Sequence, residues 1–342
     1  MYNCSKDILG FHNDKVTLPE KERSEMRDRR NSNRDRIKNG LKNNDKPSPL
    51  DFCSQGSYAM RTMTQHPEKD YDIDDGCYFK KEDLKDEDGV EMTALEAKQM
   101  VRDAVDNGSF KTSPEVCENC VRVYYDAGYH VDIPVYRQII EKDIWGNEEV
   151  YYELASTDWT RSDARNVTAW FDNENQTQSP DETNGRQLRR NVRSIKKFAI
   201  SRPNWKGKIG SGFLITKLVT EKYQSSLYRE DESLYYTMKA IRDRLEYDLV
   251  VNHPVTPNCT ITKGNNDPKA KFLKDKLSEA IDTLQVLFES DCTAEKAAKA
   301  WDEVFNTTYF TDKNNQRKNE EKAAKIRAVA NTYPTSAKPW GN

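Results

Sequence analysis

The spacing of apolar residues changes near residue 161 of this 342-residue chain, and that change limits what the chain can fold into. Before it, short runs rich in β-branched and aromatic residues predict strands. The predicted strands lie at 70–79, 120–125, 129–137 and 149–155, and the second and third are expected to form a hairpin that turns at 126–128. After it, residues such as Leu188, Val192 and Ile195 recur at helical spacing. The sequence therefore predicts an α+β protein, with a mixed sheet first and a bundle of helices second.

The overall composition excludes several classes of protein. The net charge of −3 argues against a general coat of basic residues for nucleic acid. No apolar run approaches the roughly 18 residues that a membrane-spanning helix needs, and the N-terminus lacks the apolar stretch of a signal peptide. The seven cysteines are scattered, which favours reduced thiols over a disulfide framework. We therefore expect a cytoplasmic monomer that has neither a membrane nor a template nucleic acid as partner.

A long, highly charged helix is predicted near the N-terminus. Residues 19–46 contain ten Lys and Arg residues and six acidic residues. A thin apolar line along this helix runs through Leu18, Met26, Ile37 and Leu41. One interpretation is a helix with a solvated face; the alternative is that some of its arginines point toward an anionic group in a cleft.

These patterns divide the chain into four segments. The first segment contains the charged helix and is expected to brace both lobes. The last carries two prolines and Trp340 beyond the final predicted helix, and we expect it to be a flexible tail. The expected bounds are 1–46 for the N-terminal segment, 47–160 for the core that contains the sheet, 161–330 for the helical lobe and 331–342 for the tail.

Three aspartates are expected on neighbouring strands. Asp72 and Asp74 are separated by one apolar residue, so in a strand both carboxylates point to the same face. Asp132 alternates with β-branched residues and faces the side opposite to them. Carboxylates this close raise each other's pKa unless a cation neutralises them, and oxygen-only ligands suit Mg²⁺ or Mn²⁺. We predict that all three are catalytic metal ligands, since paired metals are the usual means of in-line phosphoryl displacement.

A Gly-Ser pair precedes the first two aspartates. Gly56 allows a backbone to approach a phosphate closely, and the hydroxyl of Ser57 can bond a terminal phosphate oxygen. Each motif by itself is weak evidence, because Gly-Ser pairs are common and an Asp-x-Asp is more often a polar surface turn. The order of Gly-Ser, Asp-x-Asp and the third aspartate is what makes the combination informative.

Two cysteines have the spacing of half a zinc site. Cys117 and Cys120 form a C-x-x-C, but no second Cys/His pair follows at a standard distance, and His130 is the nearest candidate. We expect two ordinary thiols. His130 alternates onto the face of Asp132, where it either orients that carboxylate or is a partly buried histidine with no role in the chemistry.

The motifs resemble, in this order, those of the bacterial cGAS/DncV-like nucleotidyltransferases, the cyclic-oligonucleotide synthases of anti-phage signalling operons. The resemblance is carried by 55–58, 71–76, 130–134, 162–165, 170–171, 188–190, 195–198, 210–211 and 301–305. It covers roughly residues 15–310 and implies a polymerase-β-like sheet, a helical second lobe and an active site between the two. The Asp-x-Asp-Asp-Gly form is most similar to the subgroup that makes cyclic dinucleotides such as cyclic GMP-AMP.

The resemblance also implies roles for individual residues. Asp72, Asp74 and Asp132 would hold the metals, and Gly56 and Ser57 would bind the donor triphosphate. Lys196 falls where the family has a triphosphate-binding lysine, with Lys197 as the alternative one position along, and Ser211 falls where a phosphate-contacting serine starts the next helix. The remaining nucleotide-binding candidates, expected near the acceptor, are Gln55, Tyr58 and Arg122.

The implied activity is a metal-dependent condensation of nucleoside triphosphates, ATP and/or GTP, into a cyclic di- or trinucleotide for anti-phage defence. Two alternatives stay open: a linear nucleotidyltransferase that acts on RNA or protein, and a nucleotide-binding module without turnover. Family members in operons with ubiquitin-transfer-like enzymes can be joined to other molecules through their C-terminus. The tail at 331–342 is therefore a possible contact for such an enzyme.

Overall fold

The structure is a computed structural model that describes residues 1–332 with the exception of 70, 87, 126, 127, 143 and 144. Within those residues the backbone forms eight strands and eleven α-helices. The strands are β1 (Asp51–Gln55), β2 (Tyr71–Lys80), β3 (Glu115–Val116), β4 (Val121–Tyr124), β5 (Tyr129–Ile133), β6 (Val135–Lys142), β7 (Glu148–Ala155) and β8 (Trp159–Arg161). The helices are α1 (Ser5–Phe11), α2 (Glu20–Asn43), α3 (Gly56–Ala59), α4 (Ala94–Val105), α5 (Ala164–Gln178), α6 (Gln187–Ala199), α7 (Gly212–Lys222), α8 (Glu230–Tyr247), α9 (Pro268–Thr283), α10 (Ala294–Phe305) and α11 (Tyr309–Thr332). Residues 126 and 127 of the expected hairpin turn, and 333–342 of the expected tail, lie outside the described residues.

Strand β2 is the centre of the sheet. β1 pairs with one of its edges in an antiparallel manner, and β5 and β6 pair with the other edge in a parallel manner. Tyr71 lies opposite Tyr129 and Cys77 opposite Val135, so β5 and β6 continue in one register and behave as a single strand interrupted at Pro134. β4 and β7 pair antiparallel with β5 and β6, and β3 and β8 extend the two ends. The pairing of β4 with β5 confirms the predicted hairpin.

One apolar core lies against the sheet. Ile37 and Leu41 of α2 and Val101 of α4 pack with strand residues that include Phe79 and Val131. Burial of these side chains supplies the main driving force for docking both helices on the sheet. Helix α2 is therefore attached to the sheet lobe by the thin apolar line that the sequence predicts.

A second apolar core lies among the helices after residue 161. Leu188, Val192 and Ile195 of α6 are at its centre, and Ile8 and Phe11 of α1 belong to the same core. The N-terminal segment thus contacts both lobes, through α1 and α2 respectively. The predicted α+β class with a sheet lobe and a helical lobe is confirmed, whereas the bounds of the four segments remain a prediction. In the described part of the chain, no helix combines the length and apolar character needed to cross a bilayer.

Helix α2 holds the central strand through a buried ion pair. Arg34 donates from Nε and Nη2 to the two carboxylate oxygens of Asp75, at 2.7 and 2.6 Å. Ser54 of β1 donates to the same carboxylate at 3.0 Å, and Arg30 donates to the Ser54 hydroxyl at 2.8 Å. Because Asp75 is only 3% exposed, the pair is largely shielded from water. Arg34 thus faces an anionic group, as one interpretation of the charged helix expects, but that group is the buried carboxylate of Asp75 and not a group in a cleft.

Candidate active site

The parallel pairing of β2 with β5 brings the predicted acids together. Asp72 lies opposite His130, and Asp74 lies opposite Asp132. Because alternate residues of a strand share a face, Asp72 and Asp74 project to the same side of the sheet. Asp72 is exposed, Asp74 is half-buried and Asp132 is buried. The acids therefore line up from solvent toward the interior.

A group of three side chains at this position fits a divalent cation. The ligand atoms of Asp72, His130 and Asp132 lie within 4.8 Å of one another. Two carboxylates are ligands that Mg²⁺ and Mn²⁺ accept, and the spacing is that of groups around one ion. Within the described residues this group contains His130 and does not contain Asp74. The three-aspartate ligand set that the sequence implies therefore stays a prediction, and His130 joins the candidates.

Gly56 begins α3 in direct contact with Asp74. Its φ of +60° is a left-handed conformation that side chains disfavour. A Cβ added to Gly56 would lie 2.1 Å from Asp74 Oδ2, which is far inside van der Waals contact. Glycine is thus required here by the backbone conformation and by the approach of the carboxylate, and the Gly-Ser turn lies directly over the acids.

The environment of Asp74 favours its protonated form. Burial first, and then the charges of Asp72 and Asp132, raise the pKa of Asp74 to about 7, against the opposing effect of the Arg122 guanidinium. Neighbouring carboxylates destabilise each other's charged forms, and a cation bound between them reverses that effect. The raised pKa of Asp74 therefore results from its burial first and from the neighbouring carboxylates second.

Arg122 lies on the buried aspartate. It occupies the position of β4 opposite Asp132, and it donates from Nε and Nη2 to Oδ1 and Oδ2, each at 2.7 Å. A two-point pair of this kind fixes the orientation of a carboxylate, and each oxygen retains a lone pair for another partner. In this structure Arg122 orients the carboxylate of Asp132. Its role at the acceptor nucleotide stays a prediction.

A buried lysine holds the turn that precedes β4. Lys98 of α4 is 3% exposed and donates to the backbone oxygens of Cys117, Glu118 and Ser156 at 3.2, 2.6 and 2.8 Å. The backbone N–H of Cys117 donates to the oxygen of Cys120 at 2.8 Å and closes the turn. Both cysteines are free thiols, and among the described residues neither belongs to a group that could hold a metal.

A cavity of about 570 Å³ lies between the two lobes beside the acids. The sheet lobe contributes Gly56, Ser57, Asp72 and Asp74 to its walls, and the helical lobe contributes Lys196, Gly212 and Phe213. Gln55 also lines it. The predicted site residues that do not line it are Tyr58, Arg122, Asp132 and Ser211.

Lys196 is buried at the wall that the helical lobe contributes. Its Nζ donates to the hydroxyl of Thr62 at 2.9 Å. Burial lowers the pKa of Lys196 to about 8, and the charge of Asp72 opposes that shift. Lys197 instead donates to the backbone oxygen of Gln65 at 2.8 Å and does not line the cavity. Of the two lysines that the sequence left open, the register of α6 thus favours Lys196 for the triphosphate.

The N-terminus of α7 lies next to Lys196. Ser211 is the N-cap, and its hydroxyl accepts from the backbone N–H of Leu214 at 3.2 Å. A Cβ at Gly212 would lie 3.5 Å from the Nζ of Lys196. Free N–H groups at a helix start favour anions, so this corner combines a helix N-terminus with a buried cation.

Two of the candidates for the acceptor side are engaged within the protein. The amide of Gln55 donates to the hydroxyl of Tyr78 at 2.7 Å and accepts from the hydroxyl of Tyr136 at 3.1 Å. The ring of Tyr58 lies 5.7 Å from each of two arginine side chains of α2. Gln55 is therefore held in the cavity wall and Tyr58 lies against α2, and the contact of either with a nucleotide stays a prediction.

Comparison with protein families identifies the segment around the acids. Residues 50–136 match the family model described as "Cyclic GMP-AMP synthase DncV-like, nucleotidyltransferase domain". The matched segment runs from the start of β1 into β6, so it contains the Gly-Ser pair and all three aspartates. The resemblance that the motifs predict is confirmed by this match.

Solved structures of DncV share the fold over both lobes. Escherichia coli DncV in its 3′-deoxy GTP bound form has 16% identity and a TM-score of 0.66, over 86% of this chain and 93% of that chain. Vibrio cholerae DncV in complex with nonhydrolyzable GTP has 17% identity and a TM-score of 0.69, over 90% and 97%. The same protein in complex with the linear intermediate 5′ pppA(3′,5′)pG has 17% identity and a TM-score of 0.67, over 89% and 96%.

Proposed function

Because residues 50–136 form a DncV-like nucleotidyltransferase domain, we propose that this chain condenses nucleoside triphosphates, ATP and/or GTP, into a cyclic di- or trinucleotide with release of pyrophosphate. The observation that carries the proposal is that Asp72, Asp74 and Lys196, contributed by different lobes, line one cavity of about 570 Å³. That volume lies within the roughly 300–1,000 Å³ typical of small-ligand sites. Carboxylates for metal ions and a buried cation for phosphate in one cavity are what nucleotidyl transfer requires.

Each transfer is the attack of a ribose hydroxyl on an α-phosphate. Asp72, Asp74 and Asp132 would hold divalent cations, which when bound would lower the pKa of the attacking hydroxyl and offset the charge of the leaving pyrophosphate. Gly56, which has no side chain, allows the phosphates to approach the backbone, and Ser57 donates a hydrogen bond to a phosphate oxygen. Lys196 supplies a point charge to the triphosphate, in place of the hydrogen bond that its Nζ makes to Thr62.

The ligands of the similar structures support a two-step reaction. The DncV structures contain 3′-deoxy GTP, nonhydrolyzable GTP and the linear intermediate 5′ pppA(3′,5′)pG. We extend this order to the present chain: the first bond gives a linear intermediate, and the last attack, within the same cavity, closes the ring. The product then activates a separate effector in anti-phage defence.

The direct test is product analysis. The purified chain is incubated with all four labelled nucleoside triphosphates and Mg²⁺, and the products are treated with phosphatase and identified by mass spectrometry. A cyclic product retains its phosphates because it has no terminal phosphate group. Products that phosphatase degrades would instead support a linear nucleotidyltransferase, and the absence of any product would favour a module without turnover.

The carboxylates provide the decisive variant. Replacing Asp72→Asn together with Asp74→Asn removes two ligand charges, and we expect product to vanish while the fold is retained or slightly stabilised, because like-charge repulsion is relieved. The matched control is Glu82→Gln with Asp83→Asn, two exposed acids just beyond β2 whose loss changes the net charge equally. Full activity in the first variant would refute the assignment of the acids.

The tail is the basis of a further part of the proposal. Residues 331–342 carry two prolines that favour an extended chain, and Trp340 is suited to anchor in a pocket. We propose that a ubiquitin-transfer-like enzyme binds this segment. Deletion of 339–342 is expected to leave synthesis unchanged and to abolish capture of such an enzyme in a pull-down; an unchanged pull-down would contradict the proposal.

A further inference from the structure

A second cavity, of about 520 Å³, opens between the start of α2 and the helical lobe. We call it the arginine cleft. Four arginines line it, against the two acidic residues Asp14 and Glu20. The four are Arg23 of α2, Arg61 just after α3, and Arg189 and Arg193 of α6. The cleft is therefore positively charged, although the chain as a whole carries a net charge of −3.

Two of the guanidinium groups are buried close together. Arg189 is 9% exposed and Arg193 is 7% exposed. Both reach over Gly185, where an added Cβ would lie 3.5 Å from Arg189 Nη1 and 3.8 Å from Arg193 Nη2. Burial first, and then the positive charges of Arg189 and Arg23, lower the pKa of Arg193 to about 10. The fold thus holds like charges together at a cost that an anion would relieve.

The arginines are poorly compensated by the protein itself. Arg189 donates to Asp172 at 2.7 Å and to the backbone oxygen of Gly185 at 3.1 Å, but its Nε has no hydrogen-bond partner among the residues that the structure describes. Arg193 donates from Nε to the backbone oxygen of Arg61 at 2.8 Å. Among the described residues, Arg23, Arg61 and Arg193 form no ion pair with a carboxylate. Such guanidinium groups offer forked donors to an incoming ligand.

The segment 60–66 separates the arginine cleft from the catalytic cavity. Met60, Thr62, Met63, Thr64 and His66 line the catalytic cavity, whereas Arg61 and Gln65 line the cleft. Helix α6 binds the segment through two hydrogen bonds. Lys196 donates to the hydroxyl of Thr62, and Arg193 donates to the backbone oxygen of Arg61. A ligand in the cleft therefore rests against the wall of the catalytic cavity.

We propose that the arginine cleft is a second binding site, separate from the catalytic cavity, for a small molecule that carries several phosphate groups. Four guanidinium groups offer more donors than one carboxylate can accept, and the tetrahedral oxygens of phosphates match them. The volume of about 520 Å³ encloses a small molecule. Binding orders Arg61, so the backbone amides of 60–66 become protected from hydrogen exchange.

The test uses tripolyphosphate and the metal-free chain, titrated by calorimetry in the presence of EDTA. The variant Arg23→Gln with Arg61→Gln removes two cleft charges, and we expect its affinity to fall about tenfold or more, the size of a lost charge-assisted contact. The matched control, Lys21→Gln with Arg27→Gln, removes two exposed charges from the same helix and is expected to keep the wild-type affinity. Lys196→Ala, which removes the buried cation of the catalytic cavity, is expected to retain the binding of tripolyphosphate.

Three results would overturn the proposal. The first is no binding of tripolyphosphate to the wild-type chain at millimolar concentration. The second is binding that Lys196→Ala abolishes and the cleft variant retains, which would place the anion in the catalytic cavity. The third is citrate binding as tightly as tripolyphosphate, which would show selection for charge alone.

A measurement without ligand tests the repulsion between the arginines. The variant Arg23→Gln with Arg61→Gln should unfold at or above the thermal midpoint of the wild type, and a lower midpoint would show that the arginines do not destabilise the unliganded cleft.

Discussion

At the scale of single residues, Gly56 is the position where backbone conformation and the acids are most closely linked. Alanine at this position would need a φ of +60°, at a cost of about 1–2 kcal/mol, and would place its Cβ 2.1 Å from Asp74 Oδ2. We expect Gly56→Ala to abolish product formation and to lower the midpoint of thermal unfolding. Gly89→Ala is the control, because Gly89 has a φ of +79° and, among the described residues, no atom within 4 Å of an added Cβ. Equal loss of activity in the two variants would contradict a specific role of the Asp74 contact.

The two adjacent lysines of α6 provide a matched pair. Lys196 lines the catalytic cavity, whereas Lys197 is bound to the backbone oxygen of Gln65. Lys196→Ala is expected to weaken triphosphate binding by about 1–3 kcal/mol, the size of a lost charge-assisted hydrogen bond, and Lys197→Ala is expected to have a much smaller effect. Binding of nonhydrolyzable GTP with Mg²⁺ measures both. If the two variants weakened binding equally, or if Lys197→Ala weakened it more, the assignment of Lys196 to the triphosphate would be wrong.

His12 gives the stability of the chain a pH dependence. It is 1% exposed and burial, followed by the charge of Arg193, lowers its pKa to about 3. In the unfolded chain its pKa is about 6.5, so below that pH the unfolded state binds a proton that the folded state does not. The free energy of unfolding therefore falls as the pH decreases from about 6.5 toward 3, by up to about 1.4 kcal/mol per pH unit. Urea unfolding at pH 7.5 and pH 5 should show a smaller loss in His12→Asn than in wild type; equal losses would contradict this.

The site residues differ in how far the sequence predicts them. Asp72 and Asp74 share a face because the strand period is two, and that follows from spacing alone. The contact between Arg122 and Asp132 depends on the register of β4 on β5, which local spacing does not determine. One signal for this contact was present in the sequence. Arg122 lies between Val121 and Val123 of a predicted strand, so it faces away from the apolar side, where a carboxylate of a neighbouring strand could pair with it.

At the scale of secondary-structure elements, α4 shows the limit of pattern reasoning. Thr93 and Glu96 have the spacing of a capping box, and both of its hydrogen bonds are present. Within the helix, Leu95 is 51% exposed although it is apolar, and Lys98 is 3% exposed although it is charged. Lys98 is buried because its Nζ meets three backbone oxygens from distant segments. Such long-range compensation cannot be inferred from the helix alone.

The attachment of α2 to β2 can be tested at Arg34. Arg34→Ala would leave the carboxylate of Asp75 buried without its two-point partner, and we expect it to lower the free energy of unfolding by about 2–4 kcal/mol. Arg27→Ala on the exposed side of the same helix should change it by less than about 0.5 kcal/mol. Adding Asp75→Asn to Arg34→Ala should recover part of the loss, because the uncompensated charge is removed. Urea unfolding measures all three, and no recovery would show that packing rather than charge dominates.

At the scale of the whole molecule, the sequence predicts the two lobes but not the surfaces between them. The change of apolar spacing near residue 161 separates sheet from helices, and the motif order predicts that the active site lies between them. The arginine cleft arises from residues as distant in sequence as Arg61 and Arg193, whose contact depends on how the lobes dock. Charges that are scattered along the sequence therefore form a site only in three dimensions.

Binding between the lobes should be visible in both of them. The catalytic cavity takes walls from 60–66 of the sheet lobe and from 209–213 of the helical lobe. Nonhydrolyzable GTP with Mg²⁺ at about a hundredfold excess over its Kd should stabilise the liganded state by about 2.7 kcal/mol, so amide exchange should slow in both segments together. Peptides from α10, which lines none of the cavity, should be unchanged. The same slowing should be absent in Asp72→Asn with Asp74→Asn. Protection confined to the sheet lobe would mean that the helical lobe does not bind the nucleotide, and Lys196 would then lose its role at the triphosphate.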